Sequence, residues 1–302
     1  TGSYGKTSCK NILYHVLCDN YLTISTPKSY NTLMGITSVI NQNLHPNTEV
    51  LILEMGAFRK GEIREMAKLA PLDIAGITGI GPQHLSTFKT MSNVLSAKLE
   101  IVSSSCYESA LILNGDNKYL KGLDLIQIQD IYFVGLDENN NFQAKNIKIL
   151  EGITEFDIYK KDKKLIHITT KLLGKHNIRN ILFVYGIIQA LNKKGLTITN
   201  SVFEEKIRTI EYIPHRLAYS RQGNINIYDD SYSSNLIGFI SAVEVLEKIE
   251  NTKIIITPGI VDCGKSSKQI NEEAARSLIN VFDEIYLIKN KVTKYFINIL
   301  EK

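Results

Sequence analysis

The sequence predicts an α/β protein: a mostly parallel central sheet carrying a phosphate-binding loop (P-loop), with helices on both faces, followed by a smaller Rossmann-like α/β unit. Three observations carry that expectation. Strand-length apolar runs alternate with segments of helical period, the pattern of strands buried on both faces and joined by helical crossovers. A glycine-bracketed octet, TGSYGKTS (Thr1 to Ser8), stands directly before a helical pattern. Pro214, the only proline between Pro82 and Pro258, lies in EYIPHRLAYS (Glu211 to Ser220) and marks the best hinge, so residues 1–210 and 211–302 are expected to form separate domains.

Each element follows from its residues. VLILEM (Val50 to Met55), DIAGIT (Asp73 to Thr78), ALILNG (Ala110 to Gly115) and IYFVGL (Ile131 to Leu136) are apolar enough for buried strands. GEIREMAKLA and TFKTMSNVLSAKLEI lie between them with helical spacing. From Ala144 to Thr170, KNIKIL, EFDIYKK and KLIHITT alternate as short antiparallel strands do, predicting a small antiparallel extension. A long helix is expected over about His176 to Leu191, then one further short helix. Past the hinge, NINIYDD, KIIITPG and EIYLIK read as strands, with helices near Ile237 to Ile249 and Asn271 to Phe282 and a last one after them. The chain carries no internal repeat and no low-complexity tract.

Composition excludes several classes. The 302 residues are 44% hydrophobic, enough for more than one core. Formal net charge is +4, from 35 basic and 31 acidic residues spread along the whole length, so no polybasic arm for nucleic acid or anionic lipid is present. Cys9, Cys18, Cys106 and Cys263 lack CxxC spacing and a histidine cluster, which argues against a zinc site or a disulfide framework and for free thiols in a reducing cytoplasm. No apolar run approaches the about 20 residues that span a bilayer, and no signal-peptide pattern opens the chain. A cytoplasmic protein without membrane or nucleic-acid partners is expected.

The opening octet carries the first chemistry. Gly2 and Gly5 bracket Ser3 and Tyr4, and Lys6, Thr7 and Ser8 follow at a helix start. Such a loop turns successive backbone N–H groups toward phosphate oxygens, and the helix N-terminus adds partial positive charge. Lys6 would reach the β- and γ-phosphates and Thr7 would bind Mg²⁺. A glycine turn capping an ordinary helix is the bland alternative. A loop of this kind normally follows a buried strand, so the chain reads as starting at a domain boundary within a longer protein. Polar residues then recur at strand ends, where parallel sheets gather ligands: Glu54 closes VLILE, His84 follows DIAGITGIGPQ, and Asn114 and Asp116 follow ALIL. Singly, each is more often a strand-end cap. Lys98, in SAKLE, is by default a solvated helical lysine.

TGSYGKTS, LEMGAFRKGEI, ITGIGPQHLSTF, SAKLEI, LNGD, GKHNIRN, HRL and DDSYSSN appear in an order and at a spacing that together resemble the Mur ligase family. The resemblance covers nearly the whole chain. It implies an ATP-dependent ligase of peptidoglycan precursor synthesis, most like the members that join D-alanyl-D-alanine to a UDP-N-acetylmuramoyl tripeptide through an acyl phosphate. It also implies an N-terminal UDP-sugar domain ahead of Thr1, a last domain continuing past Lys302, and a monomer taking only small-molecule substrates. By the same resemblance, Gly2, Ser3, Gly5, Lys6, Thr7, Ser8, Asn177, Asn180, Arg216 and Asp230 contact ATP, with Asp230 on the ribose. Thr7, Glu54, His84 and Lys98 attend Mg²⁺, Lys98 as a carbamate formed with CO₂, and Lys6, His84 and Lys98 are the catalytic groups. Helix capping competes as an explanation of Asn177. His215 and Arg216 match the pair at the start of the last domain.

Two departures stand out. The family more often has asparagine where Gly79 stands, and TPGIVDCG is unlike the corresponding loop of the best-known members, which leaves the acceptor open. Folylpolyglutamate or cyanophycin-type ligation, and a nucleotide-binding module without ligase activity, are the alternatives. A cysteine-rich zinc insertion, the mark of amidating relatives, is missing. The chain as given is expected to bind ATP weakly and to catalyse nothing without the UDP-sugar domain.

Overall fold

The computed structural model describes residues 1–28, 30–105, 107–121, 123, 128–150, 152–232, 235–261 and 263–301. Cys106, Ser233 and Ser234 of DDSYSSN, and Asp262 of TPGIVDCG lie outside the described residues. In chain order the first elements are α1 (Lys6–Leu17), β1 (Thr23–Ser25), α2 (Leu33–Asn43), β2 (Val50–Ile52), α3 (Glu62–Leu69), β3 (Ile74–Ile77), α4 (Leu85–Phe88), α5 (Met91–Ser103), β4 (Ala110–Asn114) and β5 (Asp130–Gly135). Then come β6 (Phe142–Leu150), β7 (Ile153–Lys160), β8 (Lys163–Thr170), α6 (Lys175–Lys193) and α7 (Asn200–Thr209). The remainder is β9 (Ala218–Gln222), β10 (Ile225–Asp229), α8 (Leu236–Glu247), β11 (Ile254–Thr257), α9 (Ser267–Leu278), β12 (Glu284–Leu287) and α10 (Thr293–Leu300).

A six-stranded sheet in the order β3-β4-β5-β6-β7-β8 forms the centre, parallel from β3 to β6 and antiparallel from β6 to β8. Every residue of β4 is buried. Ala110 and Ile112 pack with α1 and α6, while Leu111 and Leu113 pack with α3 and α5 on the other face, so the pleat sends alternate side chains into two cores. That is why ALIL reads as a continuous apolar run.

The expected antiparallel extension is present, but it belongs to the main sheet. β6 runs parallel to β5 and overlaps only its end, at Val134↔Phe142 and Gly135↔Gln143. The hairpins therefore project past the C-terminal ends of the parallel strands. VLILEM forms a strand only over Val50–Ile52, paired in parallel with β1 as a two-stranded sheet. Glu54, with its side chain tied to α1, follows immediately.

Beyond the hinge, NINIYDD becomes β10 in an antiparallel hairpin with β9, and β11 pairs in parallel with β12. Packed on them, α8, α9 and α10 contribute Val243, Ala274, Leu278 and Phe296 to a core of their own. Helix α9 ends at Leu278, short of the expected Phe282. A small cluster of Leu173, Leu217, Ala242 and Val245 joins the two regions across the hinge.

The TPGIVDCG loop is held from inside. Asn271, fully buried on α9, accepts from the Ile260 N–H at 2.8 Å and donates to the carbonyls of Ile260 and Ser267, both at 2.9 Å. Asn271→Ala leaves the Ile260 amide buried and unpaired, a loss of about 1–3 kcal/mol. Denaturant unfolding is expected to show the far region weakening by that amount, with the melting of the central sheet little changed.

Candidate nucleotide-binding cleft

The opening loop is laced to the end of β3. The Thr1 nitrogen donates to the Gly76 carbonyl at 2.8 Å and the Thr78 N–H donates to the Thr1 carbonyl at 3.0 Å, a strand-like pairing. The Ser3 N–H then donates to Gly79 at 2.7 Å, and the Ser3 hydroxyl to the Gly81 carbonyl at 3.0 Å. Both glycines are sterically required. A Cβ on Gly2 would lie 2.2 Å from the Thr78 hydroxyl, and Gly5, at φ 77°, would place one 2.8 Å from the Asn180 side chain. Gly5 caps α1 without a side chain, so the first N–H groups of the helix remain available to an anion. Lys6 folds back over the loop and donates to the Gly2 carbonyl at 2.9 Å, with burial holding its pKa below the ordinary lysine value.

The loop borders a cleft of about 560 Å³ lined from both sides of the hinge, by residues 3–8, the ends of β3 and β4, α6, Arg216 and the start of α8. Lys6 and Arg216 therefore share one space, and the Arg216 charge contributes to depressing Lys6. Asn177 is not a helix cap: its amide donates to the Leu173 carbonyl at 2.9 Å and its oxygen accepts from Asn180 at 3.3 Å. Asn180 lines the cleft. His176 does too, with a buried Nδ1 that has no hydrogen-bond partner among the described residues and a pKa lowered to about 4, by burial first and then by Arg179 and Arg216.

Glu54 and Thr7 meet beside the loop. The Thr7 hydroxyl donates to Glu54 Oε1 at 3.2 Å, as does the Asn31 amide at 3.1 Å. Lys10, itself buried, stands 3.5 Å from Oε2. That oxygen has no hydrogen-bond partner among the described residues. A hydroxyl beside a carboxylate with an unfilled oxygen suits a small hard cation such as Mg²⁺. Among the described residues no three His, Cys, Asp or Glu side chains gather as a metal group, so phosphate oxygens would have to complete the shell. The His84 ring packs on Phe58 with centroids 4.3 Å apart, and its backbone sits in the left-handed region at φ 50°.

Lys98 is not the solvated helical lysine that is the default for its type. It is fully buried, its Nζ has no hydrogen-bond partner among the described residues, and its pKa falls to about 7, through burial first and then the charge of Lys6. Asn114 and Asp116 are taken up by the scaffold. Asn114 ties β4 to the Thr78 carbonyl at 3.0 Å, and Asp116 accepts from the Leu136 and Asp137 amides and from Arg179 Nε at 2.6 Å.

The hinge is a tight clasp. His215 Nδ1 lies 2.7 Å from Asp229 Oδ2, Arg216 donates to the Tyr232 carbonyl at 2.9 Å, and the Leu217 N–H donates to Asp230 at 2.9 Å. Asp230 thus sits behind Arg216, outside the side chains that line the cleft. Several cleft residues escaped the sequence reading, Tyr4, Lys118, His176 and Arg179 among them. The Tyr4 hydroxyl accepts from the Asn117 amide at 2.9 Å, and its ring occupies the space where a Gly79 side chain would begin, 2.3 Å from the position of a Cβ. Gly79, where the family resemblance leads one to expect asparagine, is thus the counterpart of Tyr4.

A family profile described as Mur ligase middle domain matches residues 1–188. The chain belongs to the Mur ligase family. It is 30% identical over 310 residues to the UDP-N-acetylmuramoyl-tripeptide--D-alanyl-D-alanine ligase of Buchnera aphidicola from Acyrthosiphon pisum, covering 99% of this chain and 66% of that protein. The Escherichia coli enzyme of the same name is 26% identical over 281 residues, covering 91% and 61%. Among solved structures, MurF from Acinetobacter baumannii superposes with a TM-score of 0.90 at 22% identity, over 100% of this chain and 65% of that one. MurF from Thermotoga maritima, solved in complex with ADP, superposes at 0.87 and 24% identity, over 98% and 67%. At those identities the superpositions establish the fold. The chain spans about two thirds of the length of these relatives.

Two outcomes follow from this geometry. Gly79→Asn drives a side chain into the Tyr4 ring and is expected to destabilise by about 1–3 kcal/mol, whereas Tyr4→Ala in the same chain restores most of the loss, a coupling read from a double-mutant cycle in denaturant. Lys98 is protonated in both states below about pH 7, so the full penalty of burying its charge is present there. Between about pH 7 and the ordinary lysine range, only the unfolded chain keeps the proton, and stability rises with pH. Lys98→Met in carbon-dioxide-free buffer is expected to flatten that rise and to stabilise the protein near pH 6 by a few kcal/mol, measured by unfolding at several pH values.

Proposed function

We propose that the whole protein is an ATP-dependent amide-bond-forming ligase of peptidoglycan precursor synthesis, adding D-alanyl-D-alanine to a UDP-N-acetylmuramoyl tripeptide. The observation that carries this reading is the shared cleft, in which Lys6 on the glycine loop and Arg216 on the hinge face one space. The relatives named as this ligase, and the Thermotoga enzyme with ADP, support it. In this reading the hinge divides the chain at residues 210 and 211, and the protein works as a cytoplasmic monomer.

An amide forms in water only from an activated acyl group. The γ-phosphate of ATP passes in line to a substrate carboxylate, giving an acyl phosphate, and the incoming amine attacks it with release of phosphate. The loop N–H groups and Lys6 stabilise the charge gathering on the transferred oxygens, and Arg216 adds to this from across the hinge. Thr7 and Glu54 would hold Mg²⁺, with His84 nearby in the family pattern; the ion would neutralise phosphate charge. Asp230 would reach the ribose once the hinge moves. Burial leaves a large share of Lys98 as the neutral amine near pH 7. That form attacks CO₂ and loses a proton to give a carbamate, replacing a buried cation with an anion suited to a metal. Closure of the cleft keeps water from the acyl phosphate.

Phosphate release from ATP by the full-length protein is expected to require both the UDP-N-acetylmuramoyl tripeptide and D-alanyl-D-alanine, and Lys6→Ala is expected to lower it by at least about 100-fold. Release that needs neither substrate would assign the fold to a nucleotide switch, and release driven by glutamate on a folate would change the acceptor.

A further inference from the structure

We propose that Arg179 is a third phosphate-binding cation of this cleft, aimed by Asp116. The proposal rests on the ATP reading above and adds a residue that lies between the two asparagines of KHNIRN. Residues His176, Arg179, Asn180 and Phe183 fall on one face of α6 by their spacing, and all four line the cleft. Arg179 is the cationic member of that face.

Its side chain is fixed at one edge only. Nε donates to Asp116 Oδ2 at 2.6 Å, and neither Nη group has an acceptor among the described residues. Asp116 is itself immovable. It accepts from the Leu136 N–H at 2.8 Å, the Asp137 N–H at 3.0 Å and the Asn140 amide at 3.0 Å, so its carboxylate is anchored to the end of β5 before it meets the arginine. A guanidinium gripped at Nε keeps its two amino groups for a second anion, and much of the rotational freedom that binding would remove is already gone.

The cleft also needs an anion. Among the described residues Lys6, Lys118, Arg179 and Arg216 line it, and Asp116 is the one lining carboxylate. That carboxylate is already engaged by Arg179. Three of these cations come from separate elements, the loop, α6 and the hinge, and Arg179 lies near enough to Tyr4 and His176 for its charge to bear on both. A triphosphate lying between the loop and the hinge would pass this side of α6. The planar guanidinium suits two phosphate oxygens in a way a lysine ammonium does not.

The decisive variant is Arg179→Lys. Lysine can keep the ion pair with Asp116, and so the fold, but a single ammonium cannot hold Asp116 and also span two phosphate oxygens. Calorimetric titration of the protein with MgATP and with adenosine is expected to show ATP affinity falling about 10-fold with adenosine affinity and melting temperature unchanged. Arg179→Met is expected to weaken ATP further, again sparing adenosine. Unchanged ATP affinity in Arg179→Lys would overturn the proposal, as would an equal loss for ATP and adenosine, which would place Arg179 on the base. If the unmodified protein binds no ATP while folded, the nucleotide reading itself fails.

Discussion

Everything at the cleft depends on positive charge gathered from three elements with too little negative charge to balance it. Lys6 leaves the glycine loop, Arg179 leaves α6 and Arg216 leaves the hinge, and all line one space of about 560 Å³. Like charges held together in a partly desolvated cleft repel one another, and an anion there relieves that repulsion. In the proposed ligase a polyphosphate would do more than occupy the site: it would link the loop side to the hinge side. Closure and charge neutralisation would then be one event, which is what the proposed reaction through a water-sensitive acyl phosphate requires.

Much of this was legible in the sequence, and the reasons differ by residue. The four parallel-type strands and the long helix were visible because apolar period and length survive any detail of packing. The octet was visible because Gly2 and Gly5 are demanded locally, by positive φ and by the Thr78 and Asn180 side chains pressed against them. Lys98 was open to misreading because a lysine in a helical pattern is ordinarily solvated, and only the packing of α5 shows it enclosed. Arg179 carried no signal of its own: its role depends on Asp116, 63 residues away in sequence, and a pairing of that kind is visible only in three dimensions. Gly79 registered as a departure, yet its partner Tyr4 lies 75 positions earlier and only the fold sets them face to face. The pairing of NINIYDD was also hidden, because a strand pattern does not say which neighbour a strand takes.

The molecule holds several costly arrangements where function would need them. His215 and Leu217 both adopt left-handed backbone, at φ 61° and 49°, flanking Arg216. For non-glycine residues that conformation costs about 1–2 kcal/mol each, offset here by the bonds to Asp229, Asp230 and Tyr232. Lys98 keeps a buried amine without a hydrogen-bond partner among the described residues, and Glu54 keeps a buried oxygen beside Lys10. A sequence selected for stability alone would replace such groups with apolar ones. Lys98 and Glu54 stand near the glycine loop, and His215 and Leu217 at the hinge, so these arrangements border the cleft in which the proposed chemistry would act.

A crystal structure of the protein with Mg²⁺ and a non-hydrolysable ATP analogue tests the central claim most directly. The account predicts the β- and γ-phosphates cradled by the backbone of residues 3–8, with Lys6 on their oxygens and Arg216 reaching the same nucleotide from across the hinge. A nucleotide seated elsewhere, or phosphates held by Lys6 while Arg216 faces bulk solvent, would contradict it.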